Sequence, residues 1–318
     1  MPRPRPPLSQ TFVWRLESFG FDLLGVFFRL MPVDMASWLG GAALRVMGPL
    51  TRAHRTAERN IRIAFPAMDA AERKRLLAAQ WDNLGRLTAE FPLMHRLTPA
   101  TGRVEIVGGE HLLAVARSGR PAVLISGHFS NWEVMAAVIV HLGVRCDVTY
   151  RAANNPYIDA RIIETRRRYG VTLMAPKGEN GSREVIAAMK TGISVALLND
   201  QKFNRGLAAP FFGVMAHTAP GPTRFALKFD CPMIPMCVER IRGARFRVTI
   251  YPSIAPPNTG DRAADIEEGV RRVNAFIEAR VRERPEQWFW THKRWPNEAY
   301  AALEKTASAA APSSRTSA

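Results

Sequence analysis

The apolar positions of the chain follow two regimes that meet near residue 100. Before that point they recur at helical spacing. After it, short β-branched runs alternate with longer apolar stretches. The short runs predict strands over 104–107, 122–125, 146–150, 195–198, 233–238 and 246–251. The longer stretches predict helices around 134–142, 156–168, 183–189, 222–229 and 263–281. Strands alternating with helices imply an α/β fold with a largely parallel central sheet flanked by helices. The last two strands, joined by Arg242-Gly243, read as an antiparallel hairpin. The expected organisation is an N-terminal helical, membrane-associating region (1–100), an α/β domain (101–302) and a tail (303–318). The tail is rich in Ala, Ser, Thr and Pro and is expected to be disordered, as is the Pro/Arg alternation at 1–7.

Residues 12–31 are strongly apolar but are interrupted by Arg15, Glu17, Asp22 and Arg29. A spanning helix wants about twenty predominantly apolar residues with few charges. Arg15, Asp22 and Arg29 recur every seven residues and share one helical face, opposite Phe19, Leu23, Val26, Phe27 and Leu30. Two readings stay open: an amphipathic helix lying in a membrane interface, or one packed on the protein's own core. Charges inside the apolar stretch and the lack of a clean cleavage site argue against a signal peptide. A second apolar segment, 35–47, ends at Gly48-Pro49, followed by Arg52, Arg55, Arg59 and Arg62. That run suits acidic headgroups or a solvated helix face. Asp69-x-x-Glu72 is a capping box opening a helix whose stripe of Leu76, Leu77, Trp81, Leu84 and Phe91 reads as core.

Composition narrows the partners. The 318 residues hold 44 Lys plus Arg against 28 Asp plus Glu, a formal charge of +16. Anionic partners follow: nucleic acid, or a membrane surface with phosphorylated lipids. Cys146, Cys231 and Cys237 are odd in number without CxxC spacing, which argues against a disulfide framework and a structural zinc site.

The candidate chemistry centres on Ser126-Gly127-His128-Phe129-Ser130-Asn131-Trp132-Glu133, between a predicted strand and a predicted helix. Strand-to-helix corners are where open α/β sheets place ligands. A neutral imidazole takes a proton near pH 7, and a carboxylate can orient it. Glu133 lies five residues after His128, so the two meet only if the chain bends back before the helix. Ser130-x-x-Glu133 also reads as a capping box. No His-Glu-x-x-His, P-loop, Gly-x-Ser-x-Gly or Rossmann glycine pattern is present.

The segment Gly127-His128-Phe129-Ser130-Asn131-Trp132-Glu133 resembles the His-x4-Glu motif of the late acyltransferases of lipid A biosynthesis, within the wider His-x4-Asp/Glu glycerolipid acyltransferase group. Four further blocks follow in family order: Tyr150 to Pro156 with Arg151; Arg166-Arg167-Arg168; Asn199-Asp200-Gln201 with the Phe-Phe-Gly segment at Phe211-Phe212-Gly213; and the aromatic, basic run from Pro285 to Trp295. That last run alone reads as suited to a lipid–water interface. The resemblance implies a glycerol-3-phosphate acyltransferase-like fold and an O-acyltransferase at the cytoplasmic face of an inner membrane. It implies a donor thioester, acyl carrier protein or acyl-CoA, and a phosphorylated, Kdo-bearing glycolipid acceptor, without cofactor or metal.

His128 would then be the general base, Glu133 its orienting carboxylate, and Arg151 a phosphate or oxyanion partner. Asn131, Arg166, Arg168, Asp200, Phe211, Phe212 and Arg224 would contact substrate. For Asp200, orienting Arg151, holding a substrate hydroxyl and forming an ordinary salt bridge all stay open. Another lipid acceptor is an alternative within the same chemistry. A non-catalytic basic nucleic-acid module is the alternative from another class; the dispersed charge and lack of a recognised motif leave no nucleic acid expected.

Overall fold

The computed structural model describes residues 7–171, 174–176, 179–254 and 256–309. Four helices come first: α1 (Leu8–Arg29), α2 (Val33–Met47), α3 (Arg52–Ala64) and α4 (Ala70–Glu90). The α/β part follows as β1 (Val104–Val107), α5 (Gly109–Ser118), β2 (Val123–Ser126), α6 (Glu133–His141), β3 (Cys146–Tyr150), α7 (Pro156–Arg168), β4 (Met174–Pro176), α8 (Glu179–Lys190) and β5 (Ser194–Leu198). It continues with β6 (Leu207–Phe211), β7 (Val214–Thr218), α9 (Gly221–Phe229), β8 (Met233–Arg242), β9 (Arg245–Ile250), α10 (Arg262–Glu283) and α11 (Asn297–Ala309).

Seven strands form one sheet in the order β1-β9-β8-β2-β5-β3-β4, with β6 and β7 as a separate hairpin. Neighbours in the large sheet run parallel except β8 and β9, the expected hairpin. All four residues of β2 are buried, as a central strand covered on both faces requires. Asp69 and Glu72 form the predicted capping box of α4. Asn155 caps α7 through the N–H groups of Tyr157 and Ile158, with Pro156 at the first helical position. All three cysteines are free thiols.

Four expectations change. Residues 204–218, where the apolar pattern predicts no strand, contain the β6–β7 hairpin, turned by Phe212 and Gly213, both at positive φ. Pro210 in β6 and the Phe-Gly turn hid that strand pair from the pattern. The short β4 and the helix α5 were also not foreseen. The start of the expected disordered tail is helical, because α11 runs to Ala309 with Tyr300 buried against the body; residues 310–318 and 1–6 lie outside the described residues. The aromatic run from Pro285 to Trp295 is core rather than interface: Trp288, Trp290 and Trp295 are buried, as is Arg294.

The helical extension packs unusually closely. A Cβ on Gly40 would lie 2.4 Å from the Gly85 carbonyl oxygen, so α2 and α4 touch backbone to backbone. On α1 the charged side faces the protein: Asp22 pairs with Arg161, Glu17 accepts from Asn155, and Arg15 lies over the Tyr157 ring, all on or capping α7. Its other side, with Phe12, Leu16, Phe19, Leu23 and Leu30, is exposed, so the apolar face of α1 is not packed on the core. Met35, Trp38, Val46 and Met47 of α2 are exposed as well. Among the described residues no helix is long and apolar enough to cross a membrane. Within the Arg52 to Arg62 series, Arg59 pairs with Glu304 and covers Tyr300, so the series is not a uniform basic face.

Candidate active site

The chain leaves β2 through a tight loop before α6 begins. Gly127 has no room for a side chain: a Cβ there would meet the Phe129 ring at 2.9 Å and Asp200 Oδ2 at 3.2 Å. Ser130 sits at φ 42°, in the left-handed region that costs a non-glycine residue of order 1 kcal/mol. The loop is held from two sides. The Ser130 N–H donates to the Gln287 carbonyl, and the Phe289 N–H donates to the His128 carbonyl. Asn131 Nδ2 donates to Glu90 Oε2 at 2.9 Å, and Glu90 is itself buried against Arg240 and Ser37. A charge pair between the extension and β8 therefore fixes the loop that carries His128.

His128 faces Asp200, not Glu133. Its Nδ1 lies 2.7 Å from Asp200 Oδ1, and its backbone N–H donates to Asp200 Oδ2 at 2.7 Å. Trp288 Nε1 donates to the same Oδ2 at 2.8 Å. Burial alone would raise the Asp200 pKa, but the His128 imidazole and these hydrogen bonds outweigh it and hold the carboxyl well below its usual range. An ionised carboxylate only accepts, so Nδ1 carries a proton, and in the neutral imidazole Nε2 then presents a lone pair. The ring is wedged edge-on against Trp132 and beside Phe289.

Glu133, in the first turn of α6, answers to other partners. Arg166 grips it with two bonds, Nε to Oε2 at 3.0 Å and Nη2 to Oε1 at 2.7 Å, and the Tyr169 hydroxyl donates to Oε2. Burial works against its charge, yet the Arg166 bonds and charge and the Tyr169 bond hold its pKa below the usual value. The Tyr169 hydroxyl is pushed the other way, by burial and by the Glu133 charge. The Ser130 capping box does not form: α6 has no side-chain cap, and the buried Ser130 hydroxyl bonds none of the N–H groups at the helix start.

A cavity of about 360 Å³ lies between the sheet and helices α6 and α7. Two rungs of the sheet form one wall. Ser126 and Leu198 pair on β2 and β5 in the upper rung; Leu124, Ala196 and Val148 pair across β2, β5 and β3 in the lower one. Met135, Ala136 and Ile139 of α6 form the opposite wall. The polar lining groups His128, Arg151 and Gln201 follow the C-terminal ends of β2, β3 and β5, and Glu133 and Arg166 join them from the helices. The result is an apolar chamber with an imidazole and two cations on one rim, at the strand ends where open α/β sheets bind ligands. Among the described residues no three His, Cys, Asp or Glu side chains gather as a metal site.

Residues 11–297 match the model of the bacterial lipid A biosynthesis acyltransferase family. The chain belongs to that family. It is an acyltransferase of lipid A biosynthesis. It is 25% identical over 287 residues to the lipid A biosynthesis palmitoleoyltransferase of Escherichia coli (strain K12), covering 88% of this chain and 90% of that relative. It is 26% identical over 265 residues to the lipid A biosynthesis lauroyltransferase of the same strain, covering 81% and 82%. It is also 25% identical over 228 residues to a phosphatidylinositol mannoside acyltransferase of Mycobacterium tuberculosis (strain CDC 1551 / Oshkosh), covering 69% and 70%.

The remaining expected site residues of the acyltransferase scatter. Arg151 is exposed and lines the cavity; Arg166 lines it while gripping Glu133. Arg168 turns outward with Arg167, both pairing with Glu164. Asn131 is fully buried on Glu90 and does not line the cavity. Phe211 and Phe212 pack with Trp288, Trp295 and Phe65 rather than along the cavity, because the hairpin turn drives both rings inward. Arg224 is exposed on α9, away from the cavity lining. Gln201 and Trp288 fall in blocks that the resemblance marks but were assigned no site role, and nothing singled out Tyr169 or Glu90. Tyr169 stands three residues after Arg166, a spacing that shares a helix face. No local signal pointed to Glu90.

Proposed function

We propose that this acyltransferase moves a fatty acyl group from a thioester, carried by acyl carrier protein or CoA, to a hydroxyl of a phosphorylated, Kdo-bearing lipid A precursor. The observation that supports it best is the His128–Asp200 pair on the rim of an apolar chamber. His128 Nε2 takes the proton of the acceptor hydroxyl, and Asp200 holds the opposite nitrogen and stabilises the imidazolium. The acceptor oxygen bonds to the thioester carbonyl carbon, whose π pair moves to oxygen. When the intermediate collapses, the C–S bond breaks and the departing sulfur takes the proton from Nε2. The acyl chain lies in the chamber against Leu124, Ala196, Val148 and Ile139. Arg151 meets the negative charge of the acceptor. Glu133 acts by fixing Arg166 at the same rim.

The acyltransferase works on a membrane surface, on the cytoplasmic face of an inner membrane. The outward apolar faces of α1 and α2 support this, since a helix that turns its charges onto the protein and its leucines outward suits a lipid interface. α1 packs on α7, which also lines the cavity, so the rim stands close to that face. Membership in an acyltransferase family sets aside the non-catalytic nucleic-acid module.

The test is mass spectrometry of lipids from cells without the protein, with it, and with His128→Ala. One added acyl chain on a lipid A species, seen only with the wild-type protein, is expected. The same addition at full level with His128→Ala refutes the general-base mechanism. A shifted phospholipid with unchanged lipid A refutes the acceptor.

A further inference from the structure

We infer that Gln201 is a catalytic residue of this acyltransferase, its side-chain amide donating a hydrogen bond to the oxyanion formed as the thioester carbonyl is attacked. This rests on the acyl-transfer reading above.

The proton on His128 fixes which way the Gln201 amide faces. Asp200 takes the Nδ1–H, so in the neutral imidazole, the form that acts as a base, Nε2 is an acceptor. The Gln201 side chain lies 3.4 Å from that Nε2 and lines the same cavity. An amide carbonyl oxygen facing a lone pair would repel it, so the group turned toward Nε2 is the amide N–H₂. Gln201 therefore caps the lone pair that must later receive the acceptor's proton. The acceptor hydroxyl has to take over this position, and the amide must give way by about one hydrogen-bond length. A donor pushed off the base by the nucleophile stays beside the carbon that the nucleophile attacks, where negative charge then develops on oxygen.

Three backbone donors of the loop that carries the base are already engaged. The N–H of His128 donates to Asp200, that of Phe129 to Gly127 and that of Ser130 to Gln287. The loop that carries the base thus offers none of these three N–H groups to an oxyanion. Gln201 is well anchored for the task. Asn199, two residues before it, is tied by its backbone N–H to Ser126 and by its side chain to the Ala219 carbonyl, and Asp200 accepts three hydrogen bonds. Gln201 passes no proton in this scheme: the hydroxyl proton goes to Nε2, then to the departing sulfur, and the amide N–H only stabilises the charge between those steps.

The experiment uses the full chain with dodecanoyl-CoA and a purified Kdo-bearing lipid A precursor, reading thiol release and acylated product. Gln201→Met keeps the side-chain length without the donor; Gln201→Glu places a negative charge there. Both are expected to lower kcat about 10²–10³-fold with KM changed about twofold at most, as for loss of one oxyanion donor. Thermal midpoints should match the wild type, since Gln201 is only half-buried. A Gln201→Met kcat within a few-fold of wild type, or a rise in KM alone, overturns the role of Gln201. His128→Ala turning over like the wild type instead overturns the reading on which it rests.

Discussion

Removing the Glu133 carboxylate should destabilise the protein through the charge it leaves behind. The Glu133–Arg166 pair is largely withdrawn from water, with side-chain exposures of 7% and 13%. Glu133→Ala strips Arg166 of two charge-assisted bonds and Tyr169 of its acceptor. Breaking a buried pair from one side costs about 3–5 kcal/mol, mostly the penalty of keeping the remaining charge buried without its carboxylate. At roughly 2 °C per kcal/mol for a chain of this size, the melting midpoint should fall by about 6–10 °C. The double variant Glu133→Leu with Arg166→Met removes both charges and should recover most of that loss, while acyl transfer stays low because the rim has lost one of its two cations. Circular dichroism melts, with turnover measured well below every midpoint, give both readouts. The dependence on pH has a definite sign. The folded pKa of Glu133 is lowered from 4.5, so its stabilisation is complete above about pH 4.5 and is lost as pH falls through the lower folded value. The gap between wild type and Glu133→Ala should therefore narrow in acid. A Glu133→Ala midpoint within about 1 °C of wild type at neutral pH would refute the reasoning.

Three other outcomes follow from the site and the surface. Asp200→Asn should cut kcat by about 10³–10⁴-fold, since an amide no longer selects the Nδ1–H tautomer of His128; a near-normal rate would return Asp200 to a purely structural role. Ala196→Leu, in the lower rung of the chamber wall, should shift products toward shorter acyl chains, with discrimination of about fourfold for each methylene excluded; an unchanged chain-length profile by mass spectrometry would show that the chain lies elsewhere. Phe19→Asp with Leu23→Asp should weaken co-sedimentation with anionic phospholipid vesicles at unchanged thermal midpoint, because both side chains are exposed; undiminished vesicle binding would remove α1 from the membrane contact.

The sequence by itself determined what depends on local periodicity and on short contiguous blocks. The βα alternation, the closing hairpin of β8 and β9, the Asp69–Glu72 capping box and the span of α7 were legible, because each is set by residues within a few positions of one another. The His-x4-Glu block also marked the strand-to-helix corner that borders the cavity, since β2 is short, apolar and followed closely by its helix. Which carboxylate bonds the histidine was decided only by the tertiary structure. β5 hydrogen-bonds beside β2, bringing Asp200 to His128 across 72 residues of sequence, while Glu133 turns away along α6 to meet Arg166 on α7. The same holds for Trp288 on Asp200 and for Glu90 beneath Asn131, 88 and 41 residues away from their partners. The two faces of α1 were readable as faces, but periodicity carries no sign. Only the docking of Asp22 onto Arg161 showed that the charged side faces inward and the apolar side outward.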